Sequence, residues 1–162
     1  MEENRELHEL INKYSDTVYR VALNYLKHPA DAEDITQNVM EKLISCEKEF
    51  SDESHRKYWL IRVTVNECKN FLRSFWRRHV TGLEGYSGSV PFPEPVYSDV
   101  YEAVMTLPPK YRIAVYLYYY EEYSVSEIAG ITGCSETAVQ TRLMRARARL
   151  KEQLKGVWND DE

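Results

Sequence analysis

One stretch, residues 124–150, constrains the fold most strongly, because two short helical patterns meet there at a single turn. Ser124 is followed three residues later by Glu127, which is the spacing of a capping box at a helix start. Gly133 predicts the end of this helix, since glycine adopts a left-handed conformation without a Cβ penalty. Ser135 is suited to cap a second helix. The stretch therefore predicts a helix-turn-helix.

The second helix of this pair has two contrasting faces. At roughly 100° per residue, its apolar side chains fall on one side, which is expected to pack inward. These are Val139, Leu143, Ala146 and Leu150. The outward side chains are hydrogen-bonding or cationic, as a helix that enters the major groove of DNA requires. They are Thr137, Gln140, Thr141, Met144 and Arg145, with Arg142 and Arg149 on one side and Arg147 and Lys151 on the other. A solvated basic helix without a DNA partner is the alternative for an arginine run alone.

The distribution of charge favours two separate basic surfaces in an acidic chain. The 162 residues include 21 Lys and Arg against 26 Asp and Glu, which gives a formal net charge of −5. Residues 51–80 nevertheless hold seven basic and three acidic residues, and residues 135–162 hold six and five. With 43% hydrophobic residues, the chain can form one domain or two small ones. Two separate contacts with nucleic acid are therefore easier to accommodate than one.

Several function classes find no support in the sequence. No signal peptide and no run of about 18 apolar residues is visible, so we expect a soluble cytoplasmic protein without direct membrane insertion. Cys46, Cys68 and Cys134 do not have the spacing of metal ligands and are expected to be buried free thiols. The four histidines are scattered, and no nucleophile motif or phosphate-binding glycine loop is present. We therefore expect no enzyme, no catalytic residue, no cofactor and no metal.

The N-terminal segment predicts two helices. Apolar residues recur at helical spacing up to Leu26, and Pro29 interrupts the pattern. Asp31 is the predicted cap of the second helix, with Glu33 and Asp34 in its first turn. The helix dipole favours acidic side chains at this position, so capping alone would explain the three carboxylates.

A third amphipathic pattern follows a polar segment. Residues 50–57 are expected to form a loop, and a helix is expected from Tyr58. One face of this helix is rich in basic and amide side chains, which suits it to follow a phosphate backbone. This face consists of Arg62, Asn66, Lys69, Asn70, Arg73 and Arg77. Trp59 and Trp76, near the helix ends, either stack on unpaired bases or complete a bundle core.

Helical periodicity stops after this helix and resumes about twenty residues later. Residues 79–99 contain three glycines and three prolines and are expected to form a linker. Periodicity returns near Val100, and Pro108 and Pro109 are expected to open a further helix. Its bulky face, which includes three tyrosines, is expected to form the core of a small domain. This face consists of Tyr111, Ala114, Val115, Tyr118 and Tyr119.

Three segments together resemble the extracytoplasmic-function (ECF) group of bacterial RNA polymerase sigma factors. They are DAEDITQNVMEKL at residues 31–43, WLIRVTVNECKNFLRSFWRRH at residues 59–79, and residues 107–150 with the helix-turn-helix. The resemblance implies an all-α fold of two small helical domains joined by a flexible linker, the C-terminal one a helix-turn-helix. The implied ranges are 1–78 for the N-terminal domain (region 2), 79–99 for the linker and 100–156 for the C-terminal domain (region 4).

The resemblance also implies a function and partners. Sigma factors of this group bind core RNA polymerase and direct promoter-specific transcription initiation by recognising −35 and −10 elements of promoter DNA. They are commonly held inactive by an anti-sigma factor, which is therefore an expected partner. A stand-alone helix-turn-helix regulator, with an N-terminal sensing or dimerisation domain, is the alternative function. Such a regulator would bind a palindrome tightly without polymerase.

Individual residues receive roles from the same resemblance. The residues expected at the −35 element are Ser135, Thr137, Gln140, Thr141, Arg142, Arg145, Arg147 and Arg149. Those expected at the −10 element are Arg62, Asn66, Asn70, Arg73 and Arg77, while residues 50–57 resemble the segment that captures a flipped base. Those expected on core polymerase are Asp31, Glu33, Asp34 and Gln37. The chain departs from common family residues at Asn38, Met40 and Asn70, so base preference and docking can differ in detail.

Overall fold

A computed structural model describes the backbone of residues 2–78 and 99–158, and the side chains of residues 2–75 and 99–155. These residues belong to two compact units, and their regular secondary structure is entirely helical. The predicted all-α, two-domain fold is thereby confirmed. The predicted linker lies outside the described residues except for Asp99, which is the first residue of a helix.

Three helices form the N-terminal unit: α1 (Glu2–Leu26), α2 (Pro29–Ser45) and α3 (Glu53–Arg78). Each of them packs against the other two. The apolar stripes that the sequence shows at helical spacing meet in the centre, where Val18, Val21, Val39, Ile61 and Val65 are fully buried. This bundle fixes which faces of α2 and α3 remain available to partners.

The connection between α1 and α2 differs from the sequence prediction. Lys27 adopts a left-handed conformation with φ of 64°, which ends α1. The N-cap of α2 is His28 and not Asp31, because Pro29 occupies the first helical position instead of only breaking the pattern. Proline is favourable there, since its fixed φ suits a helix and its missing N–H would have no helical partner. The carboxylate of Asp31 lies in the first turn, 3.3 Å from Nδ1 of His28.

The start of α3 also corrects the prediction, because the helix begins at Glu53 and not at Tyr58. The backbone N–H of His55 donates a 2.8 Å hydrogen bond to Oδ1 of Asp52, which thus caps the helix. Lys13 of α1 pairs with Glu53 and ties the two helices together at this point. The polar composition of this segment reflects an exposed first turn, and only its first residues form a loop.

Four helices and one π-helical turn form the C-terminal unit. They are α4 (Asp99–Met105), α5 (Pro109–Val115), the π turn (Tyr116–Tyr120), α6 (Val125–Thr132) and α7 (Glu136–Trp158). Helix α7 packs against α4, α5 and α6 around the buried residues Ile113, Leu117, Ile128 and Leu143. Arg112 is also buried, and its Nη1 donates to the carbonyl oxygen of Leu107 at 2.8 Å.

The turn between α6 and α7 confirms the predicted helix-turn-helix. The N–H of Glu127 donates to Oγ of Ser124 at 3.1 Å, and the N–H of Ser124 donates to Oε1 of Glu127 at 3.0 Å. Gly133 is left-handed, with φ of 72°. The N–H of Ala138 donates to Oγ of Ser135 at 3.1 Å, so Ser135 caps α7. Each of these interactions is local in sequence, which is why the pattern could predict them.

The tyrosine-rich segment forms the predicted core only in part, because Ala114 and Val115 are buried whereas the tyrosines are not. Tyr119 and Tyr120 are 55% and 58% exposed, and Tyr111 and Tyr118 are only half-buried. The N–H of Glu121 bonds to the carbonyl oxygen of Tyr116, five residues earlier, as in a π turn. Such a turn inserts an extra residue and rotates the following side chains away from the α-helical register. The smaller residues of α5 therefore fill the core.

The cysteines are free thiols, but only Cys68 is buried. Cys46 follows the end of α2 and Cys134 lies in the turn before α7, so both are half-buried. The prediction of buried thiols is therefore wrong for these two. Burial raises the pKa of the Cys68 thiol well above its ordinary value.

Candidate nucleic-acid interface

Helix α7 presents most of its predicted DNA-contacting residues to solvent. Val139, Leu143 and Ala146 are buried against the rest of the unit, so the opposite side of the helix is free of the core. The exposed residues are Ser135, Thr137, Gln140, Arg145, Arg147 and Arg149, and the half-buried ones are Thr141 and Arg142. Hydroxyl, amide and guanidinium groups thus lie along one continuous surface, as groove recognition requires.

Arg142 is half-buried because it packs against the turn that precedes its own helix. Its Nη1 donates to Sγ of Cys134 at 3.4 Å. The hydroxyl of Thr132 lies 3.1 Å from the same sulfur. The cysteine therefore connects the end of α6 to a cation of α7, a role that spacing alone did not predict.

Arg147 contacts two tyrosines of the π turn. Its Nε donates a 2.6 Å hydrogen bond to the hydroxyl oxygen of Tyr119. Its guanidinium carbon lies 5.5 Å from the ring centre of Tyr118 and 5.6 Å from that of Tyr119. Both distances are within the range of a cation–π interaction. The arginine is therefore held at the side of α7 by groups outside that helix.

Arg145 and Arg149 make corresponding contacts with Tyr111 of α5. The guanidinium carbon of Arg149 lies 5.0 Å from the ring centre of Tyr111. A hydrogen bond from Arg145 lowers the pKa of the Tyr111 hydroxyl, and the positive charges of Arg145, Arg149 and Arg142 add to this effect against a smaller effect of desolvation. A concentration of positive charge is thus present on this side of α7.

Helix α3 carries the second predicted nucleic-acid surface. Arg62, Asn66, Asn70 and Arg73 are all exposed, on the side of the helix opposite the buried Ile61, Val65 and Cys68. Arg77 continues the same face by its position in the helix, but its side chain lies outside the described residues. The face combines cations with amides, which can contact phosphates and base edges respectively.

An aromatic cluster lies at the start of α3. The ring of Phe50 is 5.3 Å from that of His55 and 5.4 Å from that of Trp59, measured between centroids. The guanidinium of Arg56 lies 5.4 Å from the centre of the Phe50 ring. Trp59 is half-buried in this cluster, and the side chain of Trp76 lies outside the described residues. Rings and cations together form a surface on which an unpaired base can stack.

Helix α2 carries the predicted polymerase surface. Glu33, Asp34 and Gln37 are exposed, whereas Ile35 on the other side of the helix is buried. Asp31 lies at the edge of this face and is partly covered through its pairing with His28. The exposed residues form an acidic patch, because at roughly 100° per residue they lie close together on one side.

Comparison with known proteins gives matches in both units. The family model for sigma-70 region 2 matches residues 10–78, and that for sigma-70 region 4 matches residues 97–150. The RNA polymerase sigma factor SigV of Bacillus subtilis (strain 168) is 31% identical over 146 residues, covering 89% of this chain and 88% of SigV. The ECF RNA polymerase sigma factor SigM of the same organism is 31% identical over 162 residues, covering 94% and 98%.

The fold is similar to a solved sigma factor structure. The sigma factor RpoE of Bartonella quintana, crystallised in complex with the anti-sigma factor NepR, superposes with a TM-score of 0.74 at 25% identity. The similarity covers 96% of this chain and 98% of RpoE. Within the described ranges, no helix is long and apolar enough to cross a membrane. The chain therefore belongs to the extracytoplasmic-function group of RNA polymerase sigma factors, and it directs promoter-specific transcription initiation.

Proposed function

We propose that this sigma factor binds core RNA polymerase through α2, the −10 element through α3 and the −35 element through α7. The observation that carries the proposal is the outward face of α7, where hydroxyl and amide groups are flanked by arginines on both sides. The predicted linker would make the two DNA contacts intramolecular, so two weak interactions combine through effective concentration. In this mechanism the chain binds and positions DNA and carries out no catalysis of its own.

At the −35 element, Thr137, Gln140, Thr141 and Arg145 face the base edges of the major groove. Ser135, Arg142, Arg147 and Arg149 lie nearer to phosphates. This division follows the general pattern in which phosphate contacts fix the register of a protein on DNA and base contacts provide sequence specificity. Because the first turns of a recognition helix are inserted most deeply, the residues nearest Ser135 have the greatest effect on sequence preference.

At the −10 element, the exposed face of α3 contacts the melted strand. Arg62, Arg73 and Arg77 contact phosphates, and Asn66 and Asn70 contact bases. Extruding a base from a duplex costs a few kcal/mol, and this cost must be offset by contacts in the protein. The cluster of Phe50, His55 and Trp59 offers rings for such contacts, since the first two lie within the predicted capture segment, residues 50–57, and Trp59 follows it closely.

The acidic patch on α2 is the docking surface for polymerase. Asp31, Glu33, Asp34 and Gln37 are expected to contact a complementary basic surface of the largest polymerase subunit. Opposite charges at such a surface increase the rate of association and fix orientation. An anti-sigma factor is the second protein partner that we propose, in line with the complex in which RpoE was crystallised. Since polymerase and promoter DNA are cytoplasmic in bacteria, we propose that the protein acts in the cytoplasm.

Run-off transcription with core RNA polymerase and fragmented genomic DNA tests this proposal. We expect discrete transcripts that require the chain and are lost on Asp34→Lys. Glu9→Lys is the matched control, because Glu9 is an exposed acidic residue of α1 that lies outside the proposed docking surface. No chain-dependent transcript, together with tight binding to a palindrome in the absence of polymerase, would contradict the proposal and indicate a stand-alone regulator.

A further inference from the structure

We propose that Tyr119 and Tyr111 are positioning residues of the DNA interface, which hold Arg147 and Arg149 in the conformations that contact promoter DNA. This inference rests on the proposed use of α7 at the −35 element. It adds residues that lie outside the helix-turn-helix and that the sequence predicted to be core. Neither tyrosine needs to contact DNA for this role.

The tyrosines contact the arginines on both sides of α7. At roughly 100° per residue, Arg145 and Arg149 lie on one side of the helix and Arg147 lies on the other. Helix α5 packs against the buried face of α7 between them. Tyr111 at the start of α5 therefore contacts Arg149, and Tyr119, within the π turn, contacts Arg147.

The exposure of Tyr119 is difficult to explain by core packing. More than half of its surface, 55%, is accessible to solvent, yet its hydroxyl oxygen accepts a 2.6 Å hydrogen bond from Nε of Arg147. The π turn gives this side chain its position, and π turns are found frequently at functional sites. The contact between Tyr119 and Arg147 therefore depends on the backbone geometry of the π turn.

The tyrosine contacts leave the arginines able to bind phosphate. A guanidinium group has five N–H donors, and Arg147 uses the one on Nε for Tyr119. The four remaining N–H donors lie on the two terminal amino groups, where a guanidinium group can bind phosphate through two parallel hydrogen bonds. The two terminal amino groups can therefore contact DNA while the tyrosine contacts persist.

An arginine side chain that is already ordered in the free protein loses less conformational entropy when DNA binds. Without Tyr119, Arg147 would sample several rotamers and would have to be ordered on binding. The cost of ordering one such side chain predicts affinity that is lower by a factor of about three to ten. Tyr119→Leu should show this full loss, and Tyr119→Phe a smaller one, because phenylalanine keeps the ring but lacks the hydroxyl acceptor.

The experiment is a double-mutant cycle on holoenzyme reconstituted from core RNA polymerase and the full chain. Dissociation constants for a promoter fragment are measured at fixed salt for Tyr119→Leu, Arg147→Ala and the double variant. We expect Tyr119→Leu to weaken binding when Arg147 is present and to have no further effect in the Arg147→Ala background. Tyr120→Leu is the control, since Tyr120 is exposed to a similar extent, 58%, and stacks on Tyr116.

Three outcomes would overturn the inference. Equal weakening by Tyr119→Leu in both backgrounds would mean that the tyrosine contacts DNA itself. A second such outcome is that Tyr119→Leu and Tyr119→Phe bind DNA as tightly as the unmodified chain, or more tightly, while Arg147→Ala weakens binding. This result would exclude the positioning role and leave the proposed interface intact. An Arg147→Ala variant with unchanged binding would instead overturn the proposed DNA contact of Arg147. A second cycle with Tyr111→Leu and Arg149→Ala tests the other side of α7 in the same way.

Discussion

Arg145 and Arg147 are separated by one residue on α7, yet they contact tyrosines on opposite sides of that helix. The first lies close enough to Tyr111 of α5 to lower the pKa of its hydroxyl, and Nε of the second donates to the hydroxyl oxygen of Tyr119 in the π turn. The two cations therefore reach different parts of a DNA duplex that lies against the outward face. Substituting them one at a time should separate base recognition from phosphate binding.

Arg145→Ala should lower affinity by about 1–3 kcal/mol and relax sequence preference at one position of the −35 element. Arg147→Ala should weaken binding to all promoters to a similar extent and reduce the slope of log K against log salt by about one. The measurement is binding of holoenzyme to a set of −35 variants over a salt series. If both changes weaken every promoter equally, the assignment of Arg145 to bases is wrong.

Alanine substitutions at two nearby glycines of the helix-turn-helix should change the stability of the C-terminal unit in opposite directions. Gly133 has φ of 72°, where a Cβ is unfavourable, so Gly133→Ala should destabilise the C-terminal unit by about 1–2 kcal/mol. Gly130 is exposed within α6, where alanine is the better helix former, so Gly130→Ala should stabilise by about 0.5–1 kcal/mol. Thermal and urea unfolding measure both. A loss of stability in both variants would indicate that packing against α7 dominates.

The capping box of α6 should make a measurable contribution to stability. Ser124→Ala removes the acceptor of the Glu127 N–H and should cost about 1 kcal/mol. Ser126→Ala is the matched control, because Ser126 is an exposed serine in the first turn of the same helix. Chemical denaturation of both variants compares the two positions. A similar effect at both would show that the cap contributes nothing of its own.

The three thiols should differ in reactivity. Burial keeps the Cys68 thiol protonated, and because the thiolate is the nucleophile, a thiol reagent should modify Cys46 and Cys134 in the native chain well before Cys68. Peptide mapping after partial labelling at neutral pH identifies which sites have reacted. Labelling of Cys68 at the rate of Cys46 would show that α3 opens readily.

The same thiol gives a pH dependence of stability with a defined sign. Below the ordinary thiol pKa of about 8.5, Cys68 is protonated in both the folded and the unfolded chain and has no effect. Above it, the unfolded chain loses a proton that the folded chain retains, so unfolding becomes more favourable as pH rises. Cys68→Ala should reduce this alkaline loss, which urea unfolding between pH 7 and about 10 can measure. An unchanged pH dependence would contradict the buried state.

The features that the sequence predicted correctly depend on neighbouring residues. The caps at Ser124 and Ser135 and the turn at Gly133 are set by hydrogen bonds and backbone angles within a few positions. The apolar faces of α1, α2, α3 and α7 follow directly from helical spacing. Local chemistry was therefore sufficient for the helix-turn-helix and for most of both cores.

The features that were missed depend on context that a pattern does not contain. The π turn has no strong sequence signal, and it moves Tyr119 from the expected core to the side of α7. Asp52 caps α3 within a segment whose polarity suggested a loop. The contact between Arg142 and Cys134 joins residues eight positions apart across a turn. Composition could indicate the basic surfaces but could not indicate which side chains hold the cations in place.

The buried Arg112 gives the corner between α4 and α5 a hydrogen bond that does not depend on pH. Pro108 and Pro109 carry no N–H groups, and the guanidinium of Arg112 donates to the Leu107 carbonyl within this corner. Arginine stays protonated throughout the range of pH in which proteins remain folded. A change of pH therefore does not remove the donor of this hydrogen bond, so the corner between α4 and α5 is held by a contact that does not depend on a titrating group.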